Sequence, residues 1–115
     1  MENRRLISLI TPEAGLELFI EKAKVPECGE NQVLVEVQAA PFNPIDLKGL
    51  LAGVEVSTLR QMTNGKRFGI QGDLLKNKAK ALLSRIGNAL VFGREGAGVV
   101  IAAGTSVAAK RLLGK

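Results

Sequence analysis

The stretch FGREGAGVVIAAG, from Phe92 to Gly104, sets Gly93, Gly96 and Gly98 ahead of an apolar run. Closely spaced glycines can bare backbone N–H groups to a cofactor phosphate; equally, they let a chain take positive φ or let two backbones approach. A dinucleotide-binding turn needs G-x-G-x-x-G between a strand and a helix, so that the helix N-terminus meets the pyrophosphate. Here the order is Gly93-x-x-Gly96-x-Gly98, the reverse spacing, and the residues that follow, Val99-Val100-Ile101, suit a strand. Neither Gly65-Lys66-Arg67 nor Gly114-Lys115 supplies the Gly-Lys-Ser/Thr that opens a P-loop helix. The pattern predicts a sheet corner whose glycines serve the backbone.

Nucleophilic and metal chemistry are poorly provided for. The chain has one cysteine, Cys28, and no histidine. Ser-His-Asp and Cys-His mechanisms are therefore excluded, and Cys28 has no imidazole to activate it and no second thiol to pair with. Tetrahedral zinc would have to rest on carboxylates and water, so no transition metal is expected.

Asn43 is the polar residue most constrained by its neighbours. Pro41 and Pro44 bracket it in Pro41-Phe42-Asn43-Pro44-Ile45-Asp46, so the chain must leave any sheet here and Asn43 is pushed to an extended conformation. Asp46-Leu47-Lys48-Gly49-Leu50-Leu51 then reads as a short helix with Asp46 near its N-cap. Asn43 suits turn chemistry before a proline, and that role is compatible with a hydrogen-bonding one.

Around these residues the elements are mostly strands. Arg5–Ile10 and Leu16–Ala23 alternate about a turn at Pro12–Gly15 and predict a hairpin with a four- to six-residue connection. Gln32–Ala40 places Val33, Val35 and Val37 on one face, and Gly98–Ala103 reads as another strand. Residues 54–72 show no sustained period and carry Asn64-Gly65, Gly69 and Gly72, which predicts a long excursion. From Asp73 to Gly87 the pattern predicts a helix, capped by Asp73 and ended by Gly87. Leu75, Ala79, Leu82, Leu83 and Ile86 lie on one stripe, and Lys76, Lys80 and Arg85 lie off it on a solvated face.

Composition bounds the rest. At 115 residues, 46% hydrophobic and 23% charged, with no Trp or Tyr and four Phe, the chain suits one domain with an aliphatic core. No run approaches the roughly 20 apolar residues that cross a bilayer, so no membrane partner is expected. Residues 1–59 carry five basic and nine acidic side chains, net −4, and residues 60–115 carry eleven and two, net +9. The basic half holds only Phe68 and Phe92 as stacking rings, which argues against nucleic acid as a partner.

In this order, GLELFIEKAKVPECGENQVLVEVQAAPFNPIDLKG and GREGAGVVIAAGTSV resemble the N-terminal catalytic domain of the medium-chain dehydrogenase/reductase superfamily, and within it the zinc-independent quinone oxidoreductase group. The two stretches cover about half the chain. The resemblance implies a mainly β fold over residues 1–115, a GroES-like partly open β-barrel with an inserted α-helix near 73–86. The insert, at about 50–92, is longer than the family's usual connection. In zinc-dependent relatives a Cys and a His bind the metal where this chain has Asn43 and Arg94, and neither an amide nor a guanidinium can replace them. Asn43, Pro44 and Asp46 are thereby expected to face the cleft beside a nicotinamide. Glu95 matches a further family position, and alternatively it is a simple ion-pair partner for Arg94.

The implied activity is hydride transfer from NADP(H), or alternatively NAD(H), to a quinone, enone or related carbonyl compound, without zinc and without a dedicated acid–base chain, so no catalytic residue is assigned. The cofactor would be bound mainly by a Rossmann domain following this one, and the chain by itself is expected to be an inactive fragment. A cytoplasmic location and a dimer or larger homo-oligomer are also expected. The alternative is a stand-alone GroES-like β-barrel module for interaction or oligomerisation, with the 50–92 insert as its contact segment.

Overall fold

The structure is a computed structural model that describes residues 1–62 and 67–115; the turn expected at Asn64-Gly65 and the Gly65-Lys66 pair lie outside the described residues. The fold is mainly β, and its strands form two antiparallel sheets. The chain divides into two compact units, one of residues 2–23 with 43–92 and one of residues 24–42 with 93–115 and Met1.

The first unit holds a five-stranded sheet in the order β4-β5-β2-β1-β6. β1 (Asn3–Ile10) and β2 (Gly15–Ala23) are the expected hairpin, with a four-residue connection over residues 11–14 and Leu6 opposite Ile20. The turn closes through Thr11 N–H to the Gly15 carbonyl at 2.9 Å, and Ala14 takes a left-handed φ of 58°. Alternation gives the sheet two apolar faces. On one, Ile10, Leu16 and Leu18 are buried with Leu50, Val54 and Leu74. On the other, Ile7, Phe19 and Met62 cluster, and the Arg67 guanidinium lies 4.2 Å over the Phe19 ring.

The described residues between 54 and 72 are not a structureless excursion. A 3-10 turn at Val56–Thr58 leads into β4 (Arg60–Gln61), and β5 (Phe68–Asp73) pairs with β2 along six positions, from Gly15 opposite Asp73 to Ile20 opposite Phe68. β6 (Leu90–Val91) pairs with β1 on the other side. The stretch expected to be an excursion thus supplies β4 and nearly all of β5, and β6 comes from the segment just before the glycine loop.

The helix expected over 73–86 is shorter and of mixed type. Asp73 ends β5 instead of capping, Leu75 is the N-cap, α2 spans Lys76–Ala79, and a 3-10 segment continues over Lys80–Arg85. In 3-10 geometry residues three apart eclipse. Ala79 and Leu82 therefore share the core-facing line, with half-buried Arg85 next along it and Ile86 packed on the core at the C-cap, while Leu83 is 59% exposed. Gly87 follows with a φ of 76°, a stop signal that holds.

The second unit is a two-stranded ribbon of β3 (Val33–Ala39) and β7 (Ala97–Ala103), interrupted by register shifts at Leu34/Val35 and Val37/Ala39. Gly98 sits where an added Cβ would strike the Glu36 carbonyl oxygen of β3. α3 (Val107–Lys110) is capped by Ser106, whose Oγ accepts from Ala109 N–H at 3.1 Å. Beyond it the chain turns back: Val100 N–H donates to the Lys115 carbonyl at 3.0 Å, and the Val100 carbonyl accepts from Gly114 N–H at 2.9 Å. Among the described residues, no helix is long and apolar enough to cross a membrane.

Candidate functional site

α1 (Pro44–Leu50) is built by the residues that the sequence marks out for chemistry. Pro44 denies Asn43 the helical region, and Asn43 adopts φ −97° and ψ 155°, the extended geometry of an N-cap. Pro44 then occupies the first helical position, where its missing N–H costs nothing. Asp46 stands at the third helical position, near the cap as expected, but the helix begins at Pro44 and not at Asp46.

Asn43 and Asp46 close on each other through the backbone. Asn43 N–H donates to Asp46 Oδ2 at 2.9 Å, and Asp46 N–H donates to the Asn43 carbonyl at 3.0 Å. A carboxylate in the first turn also meets the positive end of the helix dipole. Asp46 is buried at 6% exposure, and its Oδ1 has no hydrogen-bond partner. The carboxylate is thus committed to the helix start, and Asn43, half-buried, is the residue it fixes.

The four expected site residues fall into two groups. Asn43, Pro44 and Asp46 share one turn of the five-stranded unit, whereas Glu95 belongs to the unit of β3 and β7, where it is exposed. Arg94 is exposed as well. Ahead of them Gly93 takes a φ of 126°, and after them Gly98 packs against β3. Both glycines serve the backbone, as their spacing predicts, and the segment leads into a strand.

Cys28 is a partly buried free thiol beside Pro26 and Val33. Among the described residues, no group of three or more His, Cys, Asp or Glu side chains is placed to hold a metal ion.

Sequence reasoning missed one buried polar pair. Ser8 is fully buried in β1, and its Oγ accepts from Arg85 Nη2 at 3.1 Å. Arg85, expected on a solvated face, is half-buried, and its Nε is buried without a partner. The one sequence signal was a serine inside an apolar alternating strand, Leu6-Ile7-Ser8-Leu9-Ile10. Chemically the Asn43 turn fixes the backbone of an uncharged, amide-bearing residue at the start of α1.

Neither a protein-family model nor a curated protein matches this sequence.

Proposed function

We propose that the chain is the N-terminal, GroES-like domain of a zinc-independent, NAD(P)H-dependent oxidoreductase that passes a hydride to a quinone, enone or related carbonyl compound. The observation that supports this reading is the Asn43–Asp46 clamp: it fixes an uncharged amide-bearing residue where the zinc-dependent relatives keep a metal-binding thiolate. In this reading the strands belong to a partly open β-barrel, the protein is a cytoplasmic homo-oligomer, and dinucleotide affinity resides mainly in a partner Rossmann domain.

When bound, the nicotinamide supplies the hydride. The chain's own residues orient and exclude. Asn43 offers a donor and an acceptor that suit a carboxamide, and Pro44 and the capping hydrogen bonds restrict its backbone. Asp46 is a positioning residue, acting through Asn43. Arg94 replaces a ligand lone pair with a cation, which is why the reading needs no zinc. Glu95 is assigned the cleft wall, on the resemblance alone.

The reading frame beyond Lys115 tests this directly. A strand followed by a dinucleotide-type glycine turn supports the oxidoreductase. Expressed with that segment, the protein oxidises NADPH in the presence of benzoquinone or an enone, and Asn43→Ala lowers the rate while Asn43→Gln retains part of it. No NADPH oxidation with any such acceptor sinks the reading. The 115 residues by themselves are expected to show neither activity nor micromolar NADPH binding by calorimetry, and micromolar binding there would count against the reading.

A second reading, a stand-alone interaction module, is favoured by the exposure of Val35 (42%) and Val37 (61%) on β3. A two-stranded ribbon is marginal alone, so those valines invite a covering partner. A stop codon after Lys115, with stable oligomers in solution, supports that module instead.

A further inference from the structure

Leu6 lies opposite Ile20, and Ile20 opposite Phe68, so β1, β2 and β5 carry one apolar row across the sheet. The row shares its face with Ile10, Leu16 and Leu18. Those three are buried against Leu50, Val54 and Leu74, whereas Ile20 is 41% and Phe68 79% exposed. Leu6 packs against that core, and the row opens outward from it through Ile20 to Phe68, an exposed apolar edge of the kind that takes a ligand.

One step further along the hairpin, Arg4 lies opposite Lys22. A single carboxylate serves both cations: Glu2 is 3.0 Å from Arg4 and 3.2 Å from Lys22. Arg5 pairs with Glu21 at the same end. Three cations therefore meet two carboxylates, and one positive charge is left unanswered where the apolar row stops. Arg4, Arg5, Leu6, Ile20, Lys22 and Phe68 together line a groove of about 420 Å³.

We propose that this groove binds a monoanionic amphiphile, a medium-chain carboxylate. Its carboxylate takes the place of Glu2 between Arg4 and Lys22, and its chain lies over Leu6, Ile20 and Phe68. The exchange is inexpensive, because the Glu2 pairs are exposed ion pairs and such pairs hold weakly in water. Guanidinium favours a carboxylate through paired donors, and because the displaced Glu2 carboxylate stays tethered beside the groove, the patch's net charge of one favours a monoanion over a dianion. A second copy of the chain fits less well, since a two-fold contact over the row would bring each copy's surplus cation into the interface with no carboxylate to spare. The groove lies apart from the Asn43 turn in the sequence and does not depend on the hydride-transfer reading.

The test is a titration of the full chain with sodium decanoate below its micelle concentration, followed by calorimetry and by amide chemical shifts. Saturable binding of one decanoate per chain is expected, with shifts at residues 4–6, 20–22 and 68. The double variant R4A/K22A weakens it by about ten-fold or more, the loss of roughly one charge-assisted contact. Phe68→Ser weakens it through the tail, decanol binds less tightly than decanoate, and Glu2→Gln tightens decanoate by removing its competitor. Binding that never saturates, ignores R4A/K22A, or is no tighter than that of decanol overturns the proposal. So does binding to phosphatidylglycerol vesicles without binding to monomeric decanoate, or a dimer formed through the row that decanoate does not dissociate.

Discussion

Arg85 reaches across 77 residues of sequence to donate a hydrogen bond to Ser8, a side chain with no exposed surface. The bond ties the 3-10 segment Lys80–Arg85 to the middle of β1. Because Arg85 Nε is already buried without a partner, the guanidinium has little hydrogen bonding to spare. Ser8→Ala is expected to cost about 1–3 kcal/mol, the range for orphaning a buried polar group. Urea unfolding of Ser8→Ala, Arg85→Met and the double variant checks it: the double variant should cost less than the sum. Strict additivity would show that the two side chains do not interact.

Asp46 is held to the start of α1 by its contact with Asn43 N–H. Asp46→Ala removes the acceptor for that donor, at a cost of about 1–2 kcal/mol, the usual value of a cap. Asp46→Asn keeps an oxygen in place and should cost less. The comparison is read from thermal unfolding, and from the amide shift of Asn43, which moves in Asp46→Ala and largely recovers in Asp46→Asn. Equal losses in both would mean that charge, and not the hydrogen bond, carries the effect.

Gly98 is predicted to be intolerant of even one methyl group. An added Cβ meets the Glu36 carbonyl and the Val37 Cα, so Gly98→Ala must push β7 away from β3. Overpacking of this kind costs about 1–3 kcal/mol. At Gly87 nothing lies within 4 Å, and there the cost is only that of a φ of 76°. Hydrogen exchange separates the two: Gly98→Ala should loosen the β3–β7 amides, and Gly87→Ala should leave them protected.

The Glu2 carboxyl sits below its ordinary pKa of 4.5, first because its side chain accepts from Arg4 and then because it accepts from Lys22. A carboxyl depressed in the folded state stabilises it above the ordinary value and loses that contribution as pH falls through the depressed one. Stability should therefore fall below about pH 4.5, and Glu2→Gln should flatten this part of the profile. At about 1 M salt, where screening reaches within roughly 3 Å, the Glu2 titration should move back toward the ordinary value. A side-chain carbon NMR titration reports it; a midpoint unmoved by salt would rule out the ion pairs as its cause.

The parts of the fold legible in the sequence were those decided by near neighbours. The β1–β2 hairpin, β3, the existence of α1 and β7 follow from period-2 alternation, from two prolines around Asn43 and from a branched run, although α1 was expected from Asp46 and begins at Pro44. β5 was not legible, because Phe68-Gly69-Ile70-Gln71-Gly72-Asp73 has the glycines of a loop. They are glycines for a long-range reason: a Cβ on Gly69 would collide with the Leu18 carbonyl and Phe19 of β2. Asp73 looked like a cap and is instead a strand end, its N–H donating to Thr58 Oγ1 at 2.8 Å. Of the candidate site, Asn43 and Pro44 were readable from local sterics, and the burial of Asp46 was not. Ser8 and Arg85 meet only through tertiary packing, so no window of sequence contains them both.

Val100 has both backbone groups bonded by Gly114 and Lys115. A two-stranded ribbon presents open rims, and an unpaired N–H and C=O on a valine-rich strand form a template on which a foreign strand can grow. The returning tail occupies that template at its centre. Displacing residues 114 and 115 from Val100 should therefore bare an edge on which copies of the chain can pair, seen as light scattering.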